Sequence, residues 1–246
     1  MDDSQRLNRA LASRGFCSRR KADELIFAGK VKVNGVQEKN PALRVRESDV
    51  IDVDGQRLPA PQEKVYYVLN KPVHCVVTLS DPQGRKTALD FFPPEIRAKR
   101  IFPVGRLDYF SEGLLLFTND GDFAQRLAHP SRGHEKTYEA VVREEPPEAA
   151  VREMESGMTL EDGTRLAGVK VRARKLKNGS HLLALKLRQG VNRQIRRMCA
   201  KAGLTILSLK RIQEGSLRLG NLKSGQFRPL TPEEVASLKG AENGPA

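Results

Sequence analysis

The chain has 246 residues, of which 39% are hydrophobic and 5% aromatic, and its formal net charge is +13. That length is enough for a core in one or two domains, and the positive charge attracts polyanions, namely nucleic acid or an anionic membrane. No apolar run reaches the roughly 18–20 residues that span a bilayer, and the first residues contain no apolar signal region, so the sequence predicts a cytoplasmic, nucleic-acid-binding protein without membrane contact.

The three cysteines lie far apart without a Cys-x-x-Cys pair, and the four histidines are scattered along the chain. An odd number of separated cysteines is typical of reduced thiols rather than of a disulfide framework. Neither residue type has the spacing of a zinc site. The sequence therefore predicts no metal site.

Residues 4–29 predict two short helices, because apolar residues recur at helical spacing and each segment ends at a glycine. Ser4 and Ser18 stand where amino-terminal caps are expected. Cations cluster around the start of the second helix, where each opposes the helix dipole by roughly a few tenths of a kcal/mol. A solvated basic face would account for the cluster, but the unfavourable position favours a bound anion such as a phosphate.

Two short strands, Val31–Val33 and Asp49–Val53, each run into a turn with the sequence Asn-Gly or Asp-Gly. Two helices before a small sheet, with the motifs Ser-Arg-Arg-Lys-Ala-Asp-Glu-Leu-Ile and Gly-Lys-Val-x-Val-Asn-Gly, closely resemble an S4 RNA-binding domain over residues 1–58. In that family the second helix and the adjacent loop hold structured RNA. The resemblance implies that five cations contact phosphates: Arg14, Arg19, Arg20, Lys21 and Lys30.

A polar stretch with two prolines, residues 59–64, predicts a short, semi-stiff linker to a second domain at residues 65–239. Hydrophobic patterns there predict a series of elements: strands at 65–70, 135–142, 169–173 and 182–187, and helices at 122–127 and within 146–160. Thr231-Pro232-Glu233-Glu234 predicts a capped helix that runs to Leu238. Residues 240–246 are expected to be a frayed tail.

Two apolar runs, Ile101–Val104 and Leu114–Phe117, predict buried strands on either side of Gly105-Arg106-Leu107-Asp108. The sequence thus places a carboxylate beside an arginine in a tight connection between core strands, where a reactive group is both rigid and accessible. Asp is also a common turn residue for local hydrogen-bonding reasons, so a purely structural Asp108 is the alternative.

Residues 194–203 predict an amphipathic helix, with an apolar stripe that begins at Ile195. Arg193 and Arg197 lie opposite this stripe, whereas Arg196 borders it. A guanidinium at the edge of a core needs a partner because an unpaired buried charge is costly, and Asp108 is the candidate. In the strand at 135–142, Tyr138 is open to two interpretations, core packing or a stacking surface for a base.

Three motifs occur in order behind the S4 module: Gly105-Arg106-Leu107-Asp108, Lys136-Thr137-Tyr138, and Gly190-x-Asn192-Arg193-Gln194-Ile195-Arg196-Arg197-Met198. Together they resemble the RsuA/RluB branch of the bacterial ribosomal RNA pseudouridine synthases, over residues 4–235. The resemblance implies an α+β protein, in which a small S4 RNA-binding domain precedes a mixed, largely antiparallel pseudouridine synthase catalytic domain. Its active site is expected in a cleft across the sheet.

The resemblance also implies roles for single residues. Asp108 matches the catalytic aspartate, and Tyr138 matches the tyrosine that stacks on the target base. Three more residues match substrate-binding positions: Arg196 pairs with the aspartate, Ile195 lines its pocket, and Arg106 fills the space left by the flipped nucleotide. The basic residues Arg193 and Arg197 are expected to contact RNA.

The implied reaction breaks the N1–C1′ bond of uridine and rejoins the uracil through C5, without oxidation or group donation, so no cofactor is expected. Asp108 could attack C1′, attack C6 of uracil or remove the C2′ proton. Three other functions compete. A hydrolase would use two carboxylates, with Glu112 as the second; a ribosome-assembly protein would bind RNA without chemistry; and an RNA methyltransferase would need a Gly-rich cofactor loop, which the sequence lacks.

The third motif, with arginine at position 196, resembles the large-subunit enzymes, whereas the small-subunit member tends to carry lysine there. The expected partner is therefore 23S rather than 16S ribosomal RNA, either free or in a ribosomal assembly intermediate. A monomer is the expected state.

Overall fold

The computed structural model of the chain describes residues 4–128 and 134–240. Residues 241–246, most of the predicted frayed tail, lie outside the described residues. The helices of the described part are α1 (Leu7–Ser13), α2 (Arg19–Phe27), α3 (Pro94–Arg97), α4 (Gly121–Ala128), α5 (Glu148–Ser156), α6 (Gln194–Lys201) and α7 (Pro232–Gly240). None of them combines the length and apolar character needed to cross a membrane.

Fifteen strands accompany these helices in the described residues: β1 (Gln5–Arg6), β2 (Val31–Val33), β3 (Val36–Glu38), β4 (Arg44–Val45), β5 (Ile51–Val53), β6 (Gln56–Arg57), β7 (Tyr66–Lys71), β8 (Phe102–Val104), β9 (Glu112–Thr118), β10 (Lys136–Val142), β11 (Lys170–Lys175), β12 (His181–Leu187), β13 (Ile206–Glu214), β14 (Leu217–Arg218) and β15 (Phe227–Pro229). Mixed, mostly antiparallel sheets with helices confirm the predicted α+β class.

The chain divides into two compact units. The first contains the described residues up to Val65, together with Ala98–Arg100 and Asn119–Gly121. The second contains Tyr66–Arg97, Ile101–Thr118 and the described residues from Asp122 onward. Residues 59–64, predicted as a linker, have no regular secondary structure, and the Gln62 N–H donates to the Ser13 carbonyl at 3.4 Å within the first unit.

The first unit packs α1 and α2 against a four-stranded antiparallel sheet of order β3-β2-β5-β6. Both predicted turns are confirmed, because Asn34-Gly35 and Asp54-Gly55 each have positive φ at both residues. The predicted cap of α2 is also confirmed, since the Lys21 N–H donates to Ser18 Oγ at 3.2 Å. These local signals were sufficient because each involves residues close in sequence.

The predicted Ser4 cap of α1 is wrong. Helix α1 begins at Leu7, and Gln5 and Arg6 form a short strand with Val45 and Arg44. The first N–H donors of the helix instead reach backbone carbonyls: Leu7 donates to Leu43 at 2.8 Å. A neighbouring loop therefore supplies the acceptors that a capping side chain would otherwise provide.

The basic cluster of the first unit separates into two kinds of residue. Arg14 is only 5% exposed, and its Nη2 donates to the carbonyls of Glu47 and Asp49 at 2.9 and 3.2 Å. It fastens a loop from inside, so its predicted phosphate contact is wrong. The other predicted phosphate-binding cations are exposed: Arg19, Arg20, Lys21 and Lys30.

The second unit is built on a nine-stranded sheet with the main order β11-β12-β10-β13-β9-β7-β15, to which β8 and β14 add at β9 and β13. All pairs are antiparallel except β13 with β9. Strand β7 occupies one edge of β9, so β8 and β13 must share the other edge. The loop between β8 and β9 emerges on this shared edge, where the pairing of β9 with β8 gives way to its pairing with Lys210 and Arg211 of β13.

Gly113 allows the close approach of β9 and β13. Its φ is +106°, and a Cβ atom on it would lie 2.2 Å from the Arg211 carbonyl oxygen. Apolar clusters build up the core on either side of this junction, one with α5 and α6 and one with α4 and α7. Glycine at position 113 therefore permits β9 and β13 to pair at the place where the loop emerges.

The capping box of α7 is present as predicted, since the Glu234 N–H donates to Thr231 Oγ1 and Glu234 Oε2 accepts from the Thr231 N–H. Glu234 also binds Arg228 through two 2.7 Å hydrogen bonds, which hold the pKa of its carboxyl below the usual 4.5. A lowered folded-state pKa stabilises the fold above the unfolded pKa and ceases to do so as pH falls through the folded value.

Glu234→Gln should therefore lower the free energy of unfolding by about 1 kcal/mol at neutral pH, because the pair is partly exposed. The difference from wild type should shrink as pH falls below the ordinary glutamate pKa. All four tyrosines belong to the second unit, so tyrosine fluorescence in urea reports its unfolding. A deficit that is independent of pH would contradict the ion-pair origin of the stability.

Candidate active site

A pocket of about 270 Å³ opens where the β8–β9 loop leaves the sheet. It is lined by residues from that loop, from β10, from the start of α6 and from β13. Six residues predicted from the sequence line it: Arg106, Asp108, Tyr138, Arg193, Ile195 and Arg196. Motifs far apart in the chain therefore converge on one cavity.

Two guanidinium groups flank the Asp108 carboxylate. Its Oδ2 lies 3.8 Å from Arg196 Nε and 4.0 Å from Arg193 Nη1. The Asp108 side chain is 30% exposed, so it remains open to the pocket. The pairing of Arg196 with Asp108 that the sequence predicts is thus present.

Arg196 also holds the loop that carries Asp108. Its Nη2 donates to the Phe110 carbonyl at 2.8 Å and to Ser111 Oγ at 3.2 Å. Burial, followed by the nearby charge of Arg193, lowers the pKa of Arg196. Its Nε is buried without a hydrogen-bond partner, which leaves one donor beside Asp108.

The structure changes the interpretation of the other two arginines of the third motif. Helix α6 begins after Arg193, which is left-handed with φ 50°, and this geometry brings Arg193 to the Asp108 side rather than opposite the apolar stripe. Arg197 forms an ion pair with Asp162 and a 3.5 Å hydrogen bond to Thr164. Arg197 is thus engaged within the protein and does not line the pocket, and its RNA contact stays a prediction.

Lys71 supports the loop from beneath and was not identified from the sequence. Its side chain is fully buried at the end of β7, and its Nζ donates to the carbonyls of Pro72, Asp108 and Ser111 at 2.9, 3.1 and 2.8 Å. Burial lowers the pKa of Lys71, and nearby acidic groups partly oppose this shift. The ammonium thus ties both ends of the Asp108 turn to the sheet.

Lys71→Met should destabilise the second unit by about 3 kcal/mol and reduce turnover strongly, because it leaves buried carbonyls without a donor. Tyrosine fluorescence in urea measures the loss of stability. Initial reaction rates, taken under conditions where the variant is still folded, measure the loss of turnover. The matched control is Lys223→Met, since Lys223 is exposed in the same unit. Unchanged turnover in a folded Lys71→Met protein would show that the anchoring of the loop is dispensable.

Strand β13 forms the inner wall of the pocket. Arg211 is 2% exposed, its Nε donates to the Leu114 carbonyl at 2.7 Å, and its Nη2 lies 3.5 Å from Glu214. Lys136 lies 3.6 Å from the same Glu214 carboxylate. Tyr138 is opposite Arg211 in the β10–β13 register. The charged side chains of this wall therefore pair with one another, next to Tyr138.

This arrangement presents one open carboxylate next to an aromatic ring. Glu214 is occupied by two cations, and Glu112, the second carboxylate considered for a hydrolase, does not line the pocket in the described chain. Burial raises the pKa of the Cys199 thiol to about 12, so it is no rival nucleophile. Among residues 4–128 and 134–240, no three His, Cys, Asp or Glu side chains form a potential metal site.

Comparison with known proteins agrees with both units of this fold. A family model described as RNA pseudouridylate synthase matches residues 65–201, and the S4 domain model matches residues 5–51. The chain is 42% identical to ribosomal large subunit pseudouridine synthase B of Bacillus subtilis, with 96% of each chain covered. It is 36% identical to dual-specificity RNA pseudouridine synthase RluF of Escherichia coli, with 96% of this chain and 79% of that one covered.

A crystal structure of a pseudouridylate synthase superposes with a TM-score of 0.68 at 28% identity, covering 96% of this chain and all of that one. The sequence relatives and this structural match extend over both units. The chain is therefore an enzyme of the RNA pseudouridylate synthase family, of the RsuA/RluB type, with an S4 domain before its catalytic domain.

Proposed function

We propose that this enzyme isomerises a specific uridine of 23S ribosomal RNA to pseudouridine, with Asp108 as its single catalytic carboxylate. One observation carries the assignment of Asp108. Its carboxylate is open to the pocket between Arg193 and Arg196, while the other carboxylate in the lining, that of Glu214, is paired twice.

The surrounding residues suit a flipped nucleotide. A base that leaves its stack loses a few kcal/mol, which stacking on Tyr138 and insertion of the exposed Arg106 would offset. Ile195 is 4% exposed and adds an apolar wall to the pocket. Arg196, already bonded to the Asp108 loop, would keep the carboxylate aimed at the sugar or the base.

The choice of 23S ribosomal RNA is supported by the name of the Bacillus subtilis relative, a large-subunit enzyme, and by Arg196 in the third motif. The test is tritium release from unmodified transcripts labelled at uracil C5, since joining C5 to the sugar expels that hydrogen. Release from the 23S transcript, and not from the 16S transcript, is expected. Release only from 16S would overturn the substrate, and free uracil as product would indicate a hydrolase.

The S4 unit would hold the RNA through its exposed cations. Arg19→Glu with Arg20→Glu should weaken binding of a 23S transcript about tenfold or more and flatten its dependence on salt, because two phosphate contacts are replaced by repulsion. Filter binding at several salt concentrations measures both. Arg14 should not be used for this purpose, because it is a buried structural residue. Unchanged binding would remove this face from the RNA interface.

A further inference from the structure

Three aromatic side chains beside Asp108 form a cluster that the proposed chemistry does not use. His74, Tyr109 and Phe110 contact each other pairwise, with ring centroids 5.0–5.6 Å apart and interplanar angles of 73–88°. We name this cluster the aromatic platform. In edge-to-face packing each contact covers at most one ring face, so three contacts leave at least three of the six faces uncovered by the other rings.

The platform is exposed rather than part of a core. Phe110 is 55% exposed, His74 is exposed and Tyr109 is partly so. Two apolar side chains in the same segment as His74 are also exposed. Val73, which directly precedes His74, is 39% exposed, and Leu79, five residues after it, is 61% exposed. Large apolar side chains concentrated in two neighbouring segments are unusual on the surface of a strongly basic protein and indicate a binding surface.

The platform is rigidly joined to the catalytic loop. Tyr109 and Phe110 directly follow Asp108, and the Phe110 carbonyl accepts the 2.8 Å hydrogen bond from Arg196. The His74 N–H donates to the Tyr109 carbonyl at 2.8 Å, which fixes the neighbouring segment to the loop. The backbone that carries these rings is therefore held in a fixed position directly beside Asp108.

Positive charge lies on the two segments that carry the rings. Arg85 is exposed, eleven residues after His74, and forms an ion pair with Asp81 at 2.7 Å. Arg106 is exposed two residues before Asp108. Aromatic faces interleaved with cations are the combination that binds unpaired nucleotides, through stacking on bases and attraction of phosphates.

We propose that the aromatic platform stacks on an unpaired base of the substrate RNA, in a nucleotide next to the flipped uridine. The proposal rests on the proposed function, because a polynucleotide cannot bring one residue to Asp108 without bringing its covalently linked neighbours to the same loop. Stacking tolerates any base, so the platform holds the strand open without itself reading the sequence.

The test compares Phe110→Leu, which keeps apolar volume but removes the ring, with Phe110→Trp, which keeps a stacking face. Leu207→Ala is the matched control, because Leu207 is 51% exposed but lies outside the pocket. Binding of an unmodified 23S transcript is measured at several salt concentrations. Phe110→Leu should weaken binding about tenfold at every concentration without changing the salt slope, because stacking releases no counterions, whereas the other two variants should bind like wild type.

Ultraviolet crosslinking locates the contact. Trypsin yields Leu107–Arg126, which contains Phe110, and Thr137–Arg143, which contains Tyr138, so mass spectrometry separates the platform from the predicted stacking tyrosine. Nucleotide adducts on Leu107–Arg126 are expected in wild type and should be lost in Phe110→Leu. Adducts confined to Thr137–Arg143 would overturn the proposal.

The two proposals fail differently. Normal tritium release with unchanged RNA affinity of Phe110→Leu would overturn the platform and leave the proposed function intact. Absent tritium release by the wild-type protein, together with weakened RNA affinity and lost adducts in Phe110→Leu, would overturn the function and support the platform as an RNA contact. A change in mass by sedimentation in Phe110→Leu, with unchanged RNA affinity, would assign the rings to contact between two copies of the chain and overturn the proposal.

Discussion

Asp108→Asn is expected to reduce tritium release at least about 10³-fold, since the amide can neither attack carbon as an anion nor remove a proton. The substitution is nearly isosteric, and Asp108 is partly exposed, with its cations at 3.8 and 4.0 Å, so the fold should survive. Single-turnover release from saturating 23S transcript measures the chemical step. Tyrosine fluorescence in urea checks that the second unit is folded.

Glu112→Gln is the matched control for this prediction. Glu112 begins β9 close to Asp108 in sequence but does not line the pocket, so release should stay within about threefold of wild type. A hydrolase with two carboxylates would lose activity in both variants. Retained release in a folded Asp108→Asn protein would remove Asp108 from the chemistry altogether.

Gly113→Ala should have the largest effect on stability, a loss of about 3–5 kcal/mol in the second unit. The φ of +106° is unfavourable for alanine, and its Cβ would lie 2.2 and 2.8 Å from the carbonyl oxygen and nitrogen of Arg211. Both clashing atoms are backbone, so the β9–β13 pair must separate. Urea unfolding followed by tyrosine fluorescence measures the loss.

Gly84→Ala isolates the contribution of the backbone conformation. Gly84 belongs to the same unit and has φ +66°, but nothing lies within 4 Å of its added Cβ. Its substitution should lower stability by about 1 kcal/mol, through φ strain alone. Equal losses in the two variants would mean that β13 can move away from β9 at no further cost.

The sequence predicted the parts of the site that rest on local patterns. The strands around Asp108, strand β10 with Tyr138, and helix α6 all follow from apolar spacing and lie where expected. The pairing of Arg196 with Asp108 followed from a buried-charge argument and is present. A motif carries this information because residues near one another in sequence fix which side chains share a face.

Strand β13 and the anchoring role of Lys71 were missed because long-range contacts decide both. Strand β13 buries the charged Arg211 and Glu214 at positions where a strand pattern calls for apolar residues, so alternation did not reveal it. Lys71 is buried because carbonyls from a loop 37–40 residues away surround its ammonium. Arg14 was misassigned for the same reason, since its acceptors lie more than thirty residues away.

The parallel pairing of β9 with β13 has a consequence for how the enzyme is made. Arg211 Nε bonds to the Leu114 carbonyl across 97 residues of sequence, so β9 leaves the ribosome roughly 5–20 s before its partner strand is synthesised. During that interval Glu112 and Gly113 of β9 lack their partner strand, and the pocket lacks the wall that β13 forms. The pocket is thus among the last features to form, and a chain that ends before Arg211 lacks both the β9–β13 pair and the inner wall of the pocket.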